Sequence, residues 1–231
     1  MITIPLEAYR LSMDELAYIK KLQELFEYNG YYFNRLPEIY YDLSDFCNER
    51  QRIIDDEEEC DIIYNIDYLG VYVYQYDKEG TITLYRNRII NCAEKIAFEI
   101  GISEKAVIEY LRMIVLFHEL GHWITHWCHK KKQKARAKSY EKQSVEVKEI
   151  MAQLTVVWAI MNNNGSIMNK GVNEVFNALV EKQTKVYKKF RKFGQRFDPV
   201  KIIKEYENLI ESKDNYNYLL NYSNFTSDIE G

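Results

Sequence analysis

The chain has 231 residues, 47 % of them apolar and only 3 of them proline, which suits one sizeable packed domain or two small ones and excludes a disordered chain. A formal net charge of −4 gives the whole molecule no bias toward nucleic acid. The N-terminus "MITIPLEAYRLSMDELAYIK" has no basic segment leading into an apolar core, no run reaches the roughly 18 apolar residues of a membrane span, and Cys47, Cys60, Cys92 and Cys128 stand far apart without a C-x-x-C pair; together these predict a cytoplasmic protein with reduced, structural thiols and no membrane partner.

The first predicted element is a helix in "LSMDELAYIKKLQELFEYNG". Ser12 caps it, Glu15 stands three residues on, Gly30 stops it, and Leu16, Ile19, Leu22, Leu25 and Phe26 form one face. Residues 37–61, ending in "DDEEEC", are acidic and mixed, and read as a solvated loop or helix end. In "DIIYNIDYLGVYVYQYDKEGTITLYRN", Val71 and Val73 alternate with Tyr72 and Tyr74, and Ile82 and Leu84 alternate with Thr81, Thr83 and Tyr85. That period of 2 predicts two strands joined through "DKEG", with Gly80 at positive φ, and a third strand around Ile62–Ile66.

The period then becomes helical. Ile89, Cys92, Ala93, Ile96 and Ala97 share a face, Gly101 ends that helix and Ser103 caps the next. The next helix runs through "EKAVIEYLRMIVLFHELGHWITHW", with Val107, Tyr110, Leu111, Ile114 and Phe117 as its buried stripe. Residues 141–161, 172–193 and 199–212 are predicted helices, with "MNNNGS" as a break, and the Asn- and Tyr-rich end is a loose tail. The expected organisation is one compact unit with four parts: an N-terminal helical and acidic segment (1–61), a core (62–165), C-terminal helices (166–213) and the tail (214–231).

All four histidines, His118, His122, His126 and His129, fall within "FHELGHWITHWCHK". His118 and His122 are four apart, and four residues advance a helix by about 400°, so both imidazoles leave from nearly one face, one turn apart. Glu119 lies about 100° round, too far to be a ligand but within reach of a water on a metal held by the pair. This is the H-E-x-x-H pattern. A catalytic zinc wants three protein ligands and an open position. Downstream, "SVEVKEIMAQLTVVW" offers Glu146 and Glu149, three apart on one helix face, and spacing leaves both open. His126 continues the ladder, but about 12 Å of helix rise from His118 sets it apart from the same ion. Cys128 points off the His118–His122 face, His129 is a solvated neighbour of Lys130, and Trp123 and Trp127 are core or cleft wall.

"HELGH" followed by a helix carrying Glu-x-x-Ala-polar resembles the gluzincin class of zinc peptidases, especially the ImmA/IrrE-like proteases, and the minigluzincins nearly as well. The resemblance covers roughly residues 62–160. It implies an α+β, zincin-like fold: a small antiparallel sheet packed on the H-E-x-x-H helix and on a glutamate helix, with additional C-terminal helices. It also implies one zinc ion held by His118, His122 and Glu149, the glutamate opening Glu149-Ile150-Met151-Ala152-Gln153, with Glu119 as general base. Gln153 stands where that family has Asn or Asp, and would contact a ligand histidine. His126 is a further supporting candidate. Such enzymes add a His or Tyr donor, for which Tyr140 and Tyr187 are candidates. The implied substrate is a protein or peptide lying extended, paired with "TITLY" at 81–85 by β-augmentation.

Two basic stretches bear on partners. "KKKQKARAKSYEK" at 130–142 links the two metal-site helices, and "KVYKKFRKFGQRF" at 185–197 interleaves aromatics with cations. A nucleic acid or acidic partner is the less favoured reading of both. The favoured one is a cleft-rim loop and an amphipathic helix burying Val186, Phe190 and Phe193, with the acidic run at 55–61 as an intramolecular counterpart. The alternative to a peptidase is a catalytically silent zincin-fold binding or regulatory module, with nucleic-acid contact among its roles. Oligomeric state is not encoded in any pattern of the sequence.

Overall fold

The computed structural model describes residues 6–28, 30, 36–42, 62–75, 78–127, 144–161 and 170–193. The architecture is α+β. Its elements are Leu6–Ala8 (β1), Met13–Tyr28 (α1), Glu38–Asp42 (β2), Ile66–Leu69 (α2), Gly70–Gln75 (β3), Lys78–Tyr85 (β4), Arg86–Ile100 (α3), Glu104–Trp127 (α4), Val145–Met161 (α5), Lys170–Lys182 (α6) and Lys185–Lys188 (α7), the last continuing as a 3-10 turn, Lys189–Phe193. Among the described residues no helix is long and apolar enough to cross a membrane.

The start of α1 is a capping box. The Glu15 amide donates to Ser12 Oγ at 3.2 Å and the Ser12 amide donates to Glu15 Oε2 at 2.7 Å. Beyond its end, Gly30 has φ 85°. The buried arc differs from the expected one. Glu15, Tyr18, Ile19, Leu22 and Phe26 are buried, Leu25 is half-buried, and Leu16 is 42 % exposed. Glu15 turns inward to receive the Tyr9 hydroxyl and Arg112, and Leu16, about 100° further round, is thereby turned to solvent.

The sheet has the order β1-β2-β4-β3. It is mixed and not antiparallel throughout: β2 runs parallel to β4, while β1–β2 and β3–β4 are antiparallel. The expected strand at Ile62–Ile66 is instead a 3-10 turn, Ile62–Tyr64, followed by α2. Asn65 caps α2 by accepting from the Asp67 amide at 3.0 Å, and Ile66 and Leu69, three apart, are both fully buried, which is helical spacing. A strand lies instead in the segment read as solvated, where Glu38–Asp42 buries Ile39 and Asp42.

Gly80 has the expected positive φ, 77°, but it lies inside β4. Pairing shifts between Val73↔Thr81 and Gln75↔Lys78, so two residues face one, and a Cβ at Gly80 would sit 2.7 Å from Val73 O. Because β4 is flanked by β2 and β3, the "TITLY" segment has both edges used. The edge on the α4 side is β3.

The helices α3 and α4 follow the sequence closely. Ile89, Cys92, Ala93 and Ile96 are buried and Ala97 half-buried, Gly101 is left-handed at φ 70°, and Ser103 Oγ accepts from the Ala106 amide at 3.4 Å. The expected stripe is buried, with Tyr110 half-buried. From Met113 to His126 every residue of α4 is buried, so this helix is the centre of the molecule, packed by the sheet, α3, α5 and α6.

One predicted helix, 172–193, is divided. At Gln183–Thr184 the chain leaves the helix, Thr184 being extended (φ −63°, ψ 165°), because the Gln183 side chain is drawn in to Gln153. Val186 is half-buried and Phe190 buried, as expected, but on a short helix and a 3-10 turn; the Phe193 side chain and residues 194–197 lie outside what is described. Lys189 pairs with Glu146, and Arg191 Nη1 pairs with Glu181 Oε1 at 2.6 Å. The 130–142 stretch, the acidic run at 55–61, the helix at 199–212, the tail, Cys47, Cys60, Cys128 and His129 lie outside the described residues.

Candidate metal centre

The close approach of α4 and α5 builds the site. Gly121 makes it possible: a Cβ there would lie 2.7 Å from Ala152 Cα and 2.9 Å from Thr155 Oγ1. With the helices this near, Glu149, one turn before Gln153 on α5, reaches His118 and His122 on α4.

The distances are compatible with a shared ion. His118 Nε2 lies 3.2 Å from His122 Nε2 and 3.2 Å from Glu149 Oε2, and His122 Nε2 lies 3.6 Å from Glu149 Oε2. A tetrahedral zinc with N and O ligands at about 2.0–2.1 Å has ligand–ligand edges of about 3.3–3.4 Å. Asp67, at the start of α2, joins from the other side, with Oδ1 3.6 Å from His118 Nε2. One donor atom from each of Asp67, His118, His122 and Glu149 lies within 4.8 Å of all the others. Glu149 Oε2 is buried but aligned for a hydrogen bond with neither imidazole, as befits an oxygen aimed at a common point. This group could hold a metal ion.

Electrostatics agree with a cation site. Burial alone would raise the Glu149 pKa, but His122 and His118 outweigh it and hold it down to about 2. Burial opposes charge on His118 too, and the carboxylates of Asp67 and Glu149 outweigh it, raising its pKa to about 10; that of His122 is also raised. The chain thus gathers positive charge onto these rings in the absence of an ion. Glu119 is 1 % exposed, its Oε1 has no hydrogen-bond partner among the described residues, and burial pushes its pKa up to about 7 against the pull of His118 and His122. That places it in the range of a general base.

Comparison with protein-family models, with curated proteins and with solved structures found no match. What the site can do is therefore read from its own atoms.

Of the two open carboxylates, Glu149 faces the histidines, while Glu146 is taken by Lys189. Tyr187 is 1 % exposed and its hydroxyl donates to Asp67 Oδ2 at 2.7 Å, beside the His118 ring. Tyr140 lies outside the described residues. Gln153 does not reach a ligand histidine: its Nε2 donates to Gln183 Oε1 at 3.1 Å, because its longer side chain spans to the break after α6. His126 is apart from the centre, with Nδ1 2.8 Å from the Tyr72 hydroxyl on β3 and its pKa lowered to about 4, chiefly by burial. Trp123 is buried core. The residue that sequence reasoning missed is Asp67. Its only local signal is Asn65-x-Asp67 opening a short helix, one acid among 35.

Proposed function

We propose that the chain is a zinc-dependent metallopeptidase of gluzincin type, resembling the ImmA/IrrE-like proteases, that hydrolyses peptide bonds of a protein substrate. The observation that carries this reading is the convergence of His118, His122 and Glu149 at tetrahedral-edge distances with the buried Glu119 following the first ligand. A zinc ion in that socket would supply Lewis acidity, acidifying a water and polarising the scissile carbonyl.

The chain's own residues do the rest. His118, His122 and Glu149 bind and fix the ion. Glu119, buried and directly after the first of these residues, takes a proton from the attacking water and later delivers it to the leaving amine. The Tyr187 hydroxyl, which donates to Asp67 Oδ2 beside the His118 ring, is the candidate donor to a developing oxyanion. An extended peptide would pair with the edge strand β3, which begins at Gly70, against α4, where a Cβ would meet Val115 Cγ1 at 2.5 Å and Glu119 Cγ at 3.4 Å. Close packing at Gly70 sets this edge beside the general base.

A second reading, a catalytically silent zincin-fold module, draws on one observation: His118, His122 and Glu149 are buried. Glu119→Gln separates the two. The peptidase reading expects turnover of an unstructured protein substrate to fall by about 10²–10⁴ with metal content unchanged; binding to a partner that survives the substitution, with no turnover by either form, supports the silent module.

A further inference from the structure

Three ligands and a general base would leave one corner of the socket for water and substrate. In this chain a fourth side chain, Asp67, stands beside the three, with one donor atom of each within 4.8 Å of all the others. Of the four candidate ligand side chains, His118, His122 and Glu149 are 0, 9 and 6 % exposed, whereas Asp67 is 21 % exposed. The side of the centre nearest solvent is the side on which Asp67 stands.

The Asp67 carboxylate is held from both ends. Its amide donates to Asn65 Oδ1, and α2 is anchored by fully buried Ile66 and Leu69. The Tyr187 hydroxyl takes Oδ2 at 2.7 Å, which leaves Oδ1 directed at His118 Nε2. A carboxylate with one oxygen engaged by a buried phenol and the other turned to two imidazoles and a second carboxylate has the disposition of a monodentate ligand. Asp67 Oδ1 at 3.6 Å and Glu149 Oε2 at 3.2 Å approach the same His118 Nε2, so one oxygen of each carboxylate faces the point that the two imidazoles share.

We propose that Asp67 is a fourth protein ligand of the metal, latched by Tyr187, so that the resting chain closes the position a peptide substrate would need. The proposal rests on the metal-centre reading given above and adds a gate to it: substrate must displace Asp67, and the same movement frees the Tyr187 hydroxyl. The two residues come from α2 and α7, 120 residues apart in the chain, so the gate couples the start of β3 to the C-terminal helices.

The test uses the full chain loaded with Co2+, whose visible absorption reports coordination number and exchangeable positions, with azide as the added probe ligand. With four protein ligands, the wild-type spectrum is unchanged by azide. Asp67→Ala binds the metal about 10- to 100-fold more weakly and its spectrum shifts on addition of azide. Should Asp67→Ala not fold, Asp67→Asn, which keeps the shape and the Tyr187 contact, carries the same comparison. Tyr187→Phe keeps the buried ring but frees the carboxylate, and gains part of the azide response. Wild type and both Asp67 variants with the same azide-sensitive spectrum and equal affinity would overturn the fourth ligand while leaving the metal centre standing. Co2+ binding absent from wild type, or undiminished in His122→Ala, would overturn the centre and the gate together.

Discussion

Gly121 of α4 and Ala152 of α5 touch so closely that a methyl group at 121 would lie 2.7 Å from Ala152 Cα. That close approach of α4 and α5 is what carries Glu149 to the two imidazoles.

In an ordinary helix interior, Gly→Ala gains up to about 1 kcal/mol. At Gly121 the sign reverses, since the clash is with backbone and Thr155, not with the end of a flexible side chain. Gly121→Ala is expected to cost about 1–3 kcal/mol of stability by overpacking, and to weaken metal binding by moving Glu149 away. Urea unfolding of the metal-free chain and a zinc titration measure the two effects. Unchanged stability and affinity would place the helices further apart than described.

A metal held by His118 and His122 would compete with protons for the same rings. In the metal-free chain the pKa of His118 lies near 10, above its ordinary 6.5, so this imidazole is charged at pH 7 and must lose its proton to bind a metal. Zinc binding at pH 7 is expected to release about one to two protons, and affinity to fall as pH falls. Calorimetry in buffers of different ionisation enthalpy counts them. The raised pKa also stabilises the metal-free fold below the ordinary imidazole value of 6.5, and that contribution is lost as pH rises through 10. Glu149 acts in the other direction: its contribution is present above its ordinary 4.5 and lost as pH falls through about 2. A metal-free melting temperature that climbed from pH 7 to pH 10 would contradict this assignment.

The N-terminal helix offers a test away from the centre. Ser12→Ala removes one half of a reciprocal cap and is expected to cost about 0.5–2 kcal/mol. Glu15 carries more, because its carboxylate also receives Tyr9 and Arg112, joining the cap to α4. Thermal unfolding of Ser12→Ala and Glu15→Ala ranks them; Glu15→Ala is the larger loss.

Local and periodic features were legible in the sequence. The capping box, the αL glycine at 101, the Ser103 cap and the i, i+4 histidine pair depend on residues a turn apart, and each stands where its spacing puts it. What spacing alone left open was pairing over distance. Glu146 and Glu149 share a helix face, and only the packing of α5 on α4 turns Glu149 to the rings and gives Glu146 to Lys189. The parallel partner of β4 came from an acidic segment whose charges hid the buried Ile39 and Asp42. Asp67 carries no signal of its own beyond following the Asn65 cap, and its place beside His118 depends on where α2 and Tyr187 meet.

Elemental analysis of the purified chain tests the central claim most directly. Wild type and Glu119→Gln are each expected to carry about one zinc ion per chain, and His122→Ala and Glu149→Ala close to none. Zinc absent from wild type after refolding with the metal, or retained in full by Glu149→Ala, would contradict the centre assembled from His118, His122 and Glu149.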